Sequence, residues 1–89
     1  MVIGDIGTVI DCNMRIDLST WTVLQIKYKK PSGASGTWTG ILYGTETVRY
    51  VTLAGDIDET GEWQFQPYAE ITGWKGHGRA QHVLIEAVL

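Results

Sequence analysis

Thr22-Val23-Leu24-Gln25-Ile26-Lys27-Tyr28-Lys29 is the stretch that decides the fold of this chain. Leu24, Ile26 and Tyr28 fall on one side of it, and Gln25, Lys27 and Lys29 on the other. A hydrophobic period of two marks a strand with one face buried and one face in water, the usual state of a strand in an antiparallel sheet. Pro31-Ser32-Gly33-Ala34-Ser35-Gly36 then ends the pattern with residues that punctuate secondary structure.

The same reading extends outward in both directions. Toward the N-terminus, Asp17-Leu18-Ser19 is a short connection, and Thr8 to Cys12 is a first strand with Ile10 and Cys12 on one face. Toward the C-terminus, a strand runs from Thr37 to Tyr43, Gly44-Thr45-Glu46-Thr47 turns tightly, and Val48 to Leu53 forms the next strand. Ala54 to Gly61 is an acidic loop. Trp63, Phe65 and Pro67 then alternate with Glu62, Gln64 and Gln66 in a strand reaching about Ile71. Pro67 has no N–H to give a ladder, so an edge or a bulge is expected there. Thr72 to Gly78 reads as a glycine-rich turn, and Ala80 to Val88 as the last strand, with Val83 and Ile85 on one face. No segment carries an i, i+3, i+4, i+7 apolar pattern. The result is one domain over residues 1–89, built as a sandwich or small barrel of about six or seven strands. Its expected core is Ile10, Leu24, Ile26, Tyr28, Trp63, Phe65, Val83 and Ile85.

Composition narrows the function classes. The formal net charge is −3, which argues against nucleic acid as a partner, since such binders carry a basic stripe. No apolar run approaches the ~18–20 residues of a membrane span, and the start lacks the basic and apolar regions of a signal peptide. The expectation is a chain made in a reducing cytoplasm, with no nucleic-acid or membrane partner. Cys12 is the single cysteine, so no disulfide closes within the chain. A domain of 89 residues buries a modest share of its surface, and small domains often draw added stability from partner subunits.

Four groups of residues invite a chemical reading. Asp56-Ile57-Asp58-Glu59-Thr60-Gly61-Glu62 opens like a calcium loop. Pro67 stands where the bidentate Glu belongs, however, and a strand follows where a helix should, so a solvated acidic turn is expected. Gly73-Trp74-Lys75-Gly76-His77-Gly78-Arg79 offers glycines and two cations but lacks the strand-to-helix setting of a phosphate loop. Protein contact is the more natural use of its Trp and Arg. Cys12 alternates in register with Ile10 and is expected buried rather than paired with His77 or His82 as a nucleophile. Finally, a core this small is not expected to hide all four tryptophans. Trp21, Trp38, Trp74, Lys75, His77 and Arg79 therefore form the expected interaction surface. No catalytic, cofactor or metal set is found, and an enzyme is not expected.

Several segments also carry a family resemblance. Ile3-Gly4-Asp5-Ile6-Gly7-Thr8-Val9-Ile10, Asp17-Leu18-Ser19 with the following strand and Pro31-Ser32-Gly33, and Leu53 to Gln66 resemble, in order and spacing, the immunoglobulin-like N-terminal domain of phage baseplate upper proteins. Ser32 departs from the acidic residue usual in that turn, and the chain ends where that domain ends. The resemblance implies an immunoglobulin-like antiparallel β-sandwich in a virion. It would be a structural module of the tail or baseplate that assembles symmetrically with itself or with other virion proteins and uses no cofactor. A head-decoration or neck protein, or a glycan- or receptor-binding β-domain using Trp74, are the alternatives.

Overall fold

The structure is a computed structural model describing all residues from Met1 to Leu89. Its eight strands are β1 (Val9–Asn13), β2 (Val23–Lys29), β3 (Ser35–Thr39), β4 (Ile41–Tyr43), β5 (Thr47–Val51), β6 (Gly61–Ile71), β7 (Trp74–His77) and β8 (Gln81–Ile85), with no helix. All strand pairings are antiparallel, in two sheets. A three-stranded sheet runs β1-β5-β4. A five-stranded sheet runs β3-β2-β6, with β7 and β8 sharing the far side of β6. The expected antiparallel β-sandwich is therefore present, with eight strands against the six segments placed from the sequence.

Those extra elements have identifiable causes. The stretch from Thr37 to Tyr43 is not one strand. It bends at Gly40, so that β3 joins the five-stranded sheet and β4 the three-stranded one. The Gly40 N–H donates to the Leu24 carbonyl at 2.9 Å, and a Cβ at Gly40 would collide with a Val48 methyl. Residues 72–78 are likewise not all turn. Thr72 and Gly73 close a hairpin, with Gly73 at φ +85°, and Trp74 to His77 pair with β6. The last strand ends at Ile85, short of Val88. Glu86 then bridges in parallel to Val2, through bonds of 2.9 Å to the Ile3 N–H and the Met1 carbonyl.

Pro67 sits in β6, the central strand of its sheet, which removes the expectation of an edge strand. Its missing N–H is tolerated for a local reason. Odd-numbered residues of β6 turn their backbone toward β7 and β8, and Pro67 lies between the stretch paired with β8 and the stretch paired with β7. The Pro67 carbonyl still accepts from the Gly78 N–H at 2.9 Å.

The two sheets close over Ile10, Cys12, Leu18, Ile26, Trp38, Val48, Ile57, Trp63, Phe65, Ala69 and Ile85. Five of the eight expected core residues are fully buried, while Leu24, Tyr28 and Val83 pack half-buried against them. Thr52 is the buried polar residue: its Oγ1 accepts from the Thr8 N–H at 3.0 Å. No buried side-chain nitrogen or oxygen lacks a partner.

Candidate contact surfaces

Trp21 is aimed by the turn that precedes it. Asp17 Oδ1 accepts from the Ser19 N–H (2.9 Å) and Oγ (2.6 Å), Leu18 plugs the core, and the Trp21 N–H donates to the Leu18 carbonyl at 3.0 Å. The Ser19 hydrogen bonds hold the Asp17 carboxyl below the usual carboxylate range. The Thr22 N–H then reaches the Glu70 carbonyl at 2.9 Å, which sets Trp21 beside the end of β6. Trp74 opens β7 opposite Ile71, and its ring folds back over Gly76, where a Cβ would strike it. The two indoles meet edge to face at 4.7 Å and 82°. Trp21 is half-buried and Trp74 exposed, with shallow grooves of about 320 and 300 Å³ beside them.

The other expected surface residues do not converge on this corner. Lys75 and His77 stand opposite Glu70 and Tyr68, on the outer side of β7, whereas Trp74 and Gly76 share the side of the core-facing Ala69. The Tyr68 and His77 rings lie 4.8 Å apart. Arg79 is exposed in the connection to β8. Trp38 corrects the sequence reading outright. It is only 8% exposed, stacked between Tyr28 at 4.5 Å and Tyr50 at 4.6 Å, with Phe65 at 5.6 Å. Those three rings, with Trp63 at 6.4 Å, absorb a second tryptophan within the sandwich.

The acidic loop is spent on fastening. Asp56 Oδ2 accepts from the Tyr50 hydroxyl at 2.5 Å and the Leu53 N–H at 2.7 Å. Burial, with help from Asp56, pushes the Tyr50 phenol up to about 12. Asp58 does not cap the loop's backbone; it takes Lys30 Nζ at 2.9 Å. Glu59 binds the Ser32 N–H at 3.2 Å and Oγ at 2.9 Å, and its carbonyl accepts from Trp63 Nε1 at 3.1 Å. These bonds tie the loop to the turn between β2 and β3. Gly61 leaves the loop at φ +119°, a conformation that resists side chains. Cys12 is fully buried, and that burial raises its thiol to about 11. His82 is on the opposite sheet's outer face, its Nδ1 2.8 Å from Glu62, so Cys12 and His82 make no catalytic pair.

A second surface escaped the sequence reading. The outer side of the three-stranded sheet carries Val9 opposite Val51, Asp11 opposite Arg49 opposite Ile41, and Asn13 opposite Thr47 opposite Tyr43. Val9, Val51, Ile41 and Tyr43 are all exposed large apolar side chains. Arg49 fixes the centre. Its Nε and Nη2 donate to the two Asp11 oxygens at 2.8 and 2.9 Å, and its guanidinium carbon lies 3.5 Å above the Tyr43 ring. That fork holds the Asp11 carboxyl below the usual carboxylate range. The outer side of the five-stranded sheet is more polar, with Gln25, Lys27, Lys29, Glu62, Gln64, Gln66, Tyr68 and His82, and Leu84 as its exposed large apolar side chain. The signal for the apolar face was present in Val9, Ile41 and Val51. A strand apolar at every other position hides the fact that its alternate positions are apolar too.

No family model, no curated protein and no solved structure matches this chain. Fold and surfaces define the class: a small antiparallel β-sandwich with one polar face, one apolar face and a paired-tryptophan corner.

Proposed function

We propose that this chain is a structural module of a bacteriophage virion, working in the tail or baseplate by protein–protein contact and not by catalysis. The observation that carries the assembly reading is the contrast between the two outer faces. A sheet face meant for water looks like Gln25, Lys27, Gln64 and Gln66. The three-stranded sheet instead presents Val9, Val51, Ile41 and Tyr43 around a fixed arginine. Tyr and Arg on an apolar ground are the residues that dominate interface energetics. The virion assignment rests on the order and spacing of the three resembling segments. Those segments do structural work here: Gly7 and Thr8 clasp Thr52, Asp17 caps Ser19, and the acidic loop fastens the β2–β3 turn. A head-decoration or neck position in the virion uses the same geometry. One observation favours a glycan- or receptor-binding reading: the exposed Trp74 ring, pinned by Trp21 and flanked by Glu70 and Lys75.

Light scattering over a concentration series tests the assembly reading. The expected result is a discrete oligomer that Ile41→Lys reduces to a smaller species, with the melting temperature unchanged at dilutions where the wild type is monomeric. A wild-type chain that stays monomeric throughout, indistinguishable from Ile41→Lys, would remove self-assembly through this face.

A further inference from the structure

The backbone of a sandwich is paired everywhere except along its edges, and native proteins guard those edges against unwanted strand addition. In this chain the guards can be assigned edge by edge. On β1 the outward backbone belongs to Val9, Asp11 and Asn13, a strand that carries the charged Asp11, held by Arg49 of β5. On β7 it belongs to Lys75 and His77. On β8 it belongs to His82 and Leu84, and beyond them Glu86 is already bonded to the Met1–Ile3 segment. β4 is only three residues long.

β3 is different. The Gly40 N–H donates to the Leu24 carbonyl at 2.9 Å, and the Lys30 N–H to the Ala34 carbonyl at 2.7 Å. These bonds bracket the β2–β3 ladder and turn even-numbered residues of β3 toward β2. Ser35, Thr37 and Thr39 therefore point their N–H and C=O groups away from the sheet. All three side chains are exposed, small and neutral. No charge, proline or bulge guards them. Two cations of β2 stand opposite β3: Lys27, opposite Thr37, leans the other way, with Nζ 4.9 Å from the Tyr68 ring centroid, and Lys29 stands opposite Ser35 at the end of the ladder. The strand is also held in shape from within. Trp38 is locked in the aromatic stack, and Gly36 lies so close under Tyr28 that a Cβ would collide with its ring.

We infer that β3 is the site where a second copy of this chain adds, antiparallel about Thr37, to join two five-stranded sheets into one. This deepens the assembly reading and rests on it. The edge suits its own copy. Antiparallel pairing on a two-fold sets Thr37 against Thr37 and Ser35 against Thr39, so each residue exchanges both backbone bonds, about six in all. The facing side chains are hydroxyls, which pair well across strands. No like charges oppose one another. The two Lys27 side chains lie about three strand spacings apart, roughly 14 Å, beyond the ~8 Å screening length of physiological salt. An acidic or basic foreign strand finds no complementary charge on β3.

Disulfide trapping reads the register directly. Residues facing across a two-fold in a hydrogen-bonded pair have Cα atoms about 5.5 Å apart, within disulfide range. Cys12 is buried and does not compete. Thr37→Cys should oxidise to a covalent dimer at least tenfold faster than Ser35→Cys, or than Thr60→Cys in the acidic loop. Ser35→Cys/Thr39→Cys should recover the fast rate, and the wild-type amides of Ser35, Thr37 and Thr39 should gain exchange protection as concentration rises. Thr37→Lys should abolish that gain, with a melting temperature unchanged at dilutions where the wild type is monomeric. Equal trapping at positions 35, 37 and 60 would overturn the inference, as would amides that stay unprotected in a protein that nonetheless associates. In that last case the assembly reading survives through the three-stranded face, and only the β3 edge is lost. A chain monomeric at every concentration, with no fast trapping at Thr37→Cys, refutes β3 pairing and self-assembly together.

Discussion

Replacing Trp38 separates the structure from the reading of this residue as a surface contact. Trp38 is packed between Tyr28 and Tyr50, nearly parallel to Tyr50 at 10°, with Phe65 at 5.6 Å and Trp63 at 6.4 Å. Truncating a buried Trp to Ala costs about 3–5 kcal/mol through lost transfer energy and the cavity left behind. Two stacked partners lost add to the upper half of that range, since each such pair contributes about 0.5–1.5 kcal/mol beyond its area. A chain of this length has a total stability of roughly 4–13 kcal/mol. Trp38→Ala therefore removes from about three-tenths of it upward, and can unfold the domain. Urea denaturation followed by tyrosine and tryptophan fluorescence measures the loss. With a slope near 1 kcal/mol/M for a small domain, the midpoint should fall by about 3 M or more. Trp38→Phe should recover more than half of the loss, because it keeps a ring in the stack. A midpoint shift under ~1 M for Trp38→Ala, accompanied by a change in association, would refute the buried placement and restore Trp38 to the surface.

Three further outcomes follow from other contacts. Gly61→Ala forces a side chain into φ +119° against the Pro31 ring, and should cost about 1–3 kcal/mol in the same urea assay, whereas Gly44→Ala, with open space around it, should cost less. Asp56→Asn weakens the double acceptor for Tyr50 and Leu53; a loss of about 1–3 kcal/mol, with faster amide exchange at Leu53, is expected by nuclear magnetic resonance. Cys12 should resist thiol reagents at pH 8 until urea unfolds the chain. Because its folded pKa is raised, to about 11, its neutral form stabilises the fold fully below the unfolded value of ~8.5–9. That contribution, of the order of 2 kcal/mol, disappears as pH climbs toward 11. Stability measured from pH 8 to 10.5 should fall more steeply in the wild type than in Cys12→Ala.

What was legible in the sequence was whatever one side chain in two could report. The alternation of Leu24, Ile26 and Tyr28, and of Trp63 and Phe65, placed β2 and β6 and found most of the core. Alternation is blind to which sheet a strand joins. Trp38 and Leu42 keep one parity straight through Gly40, so the switch between sheets left no break in the pattern. Trp38 was misplaced because its neighbours Thr37 and Thr39 are polar, and a half-buried strand with a single Trp reads as easily outward as inward. The stack that claims it comes from Tyr28, Tyr50, Phe65 and Trp63, on three other strands. Trp74 was placed correctly as exposed. Its partner Trp21, by contrast, is fixed by pairing between positions more than fifty residues apart in the chain, which no local pattern encodes.

The apolar exposure of the three-stranded sheet is not a by-product of loose packing. A folded monomer of this mass is expected to expose about 5,200 Å², and the chain exposes 5363 Å². The surface is therefore of ordinary extent, and what is unusual is its distribution: glutamine and lysine over one sheet, valine, isoleucine and tyrosine over the other. Thirteen residues of 89 are fully buried, a core that leaves the isolated domain with little stability to spare. A partner that binds only the folded chain adds stability in proportion to the logarithm of its concentration over its dissociation constant. Covering the three-stranded face and pairing the β3 edge would thus relieve both features at once, because the two surfaces lie on different sides of the sandwich and do not compete. One chain could then bond along a sheet to one neighbour and stack face to face on another, the arrangement that lets a small sandwich propagate into a larger symmetric assembly.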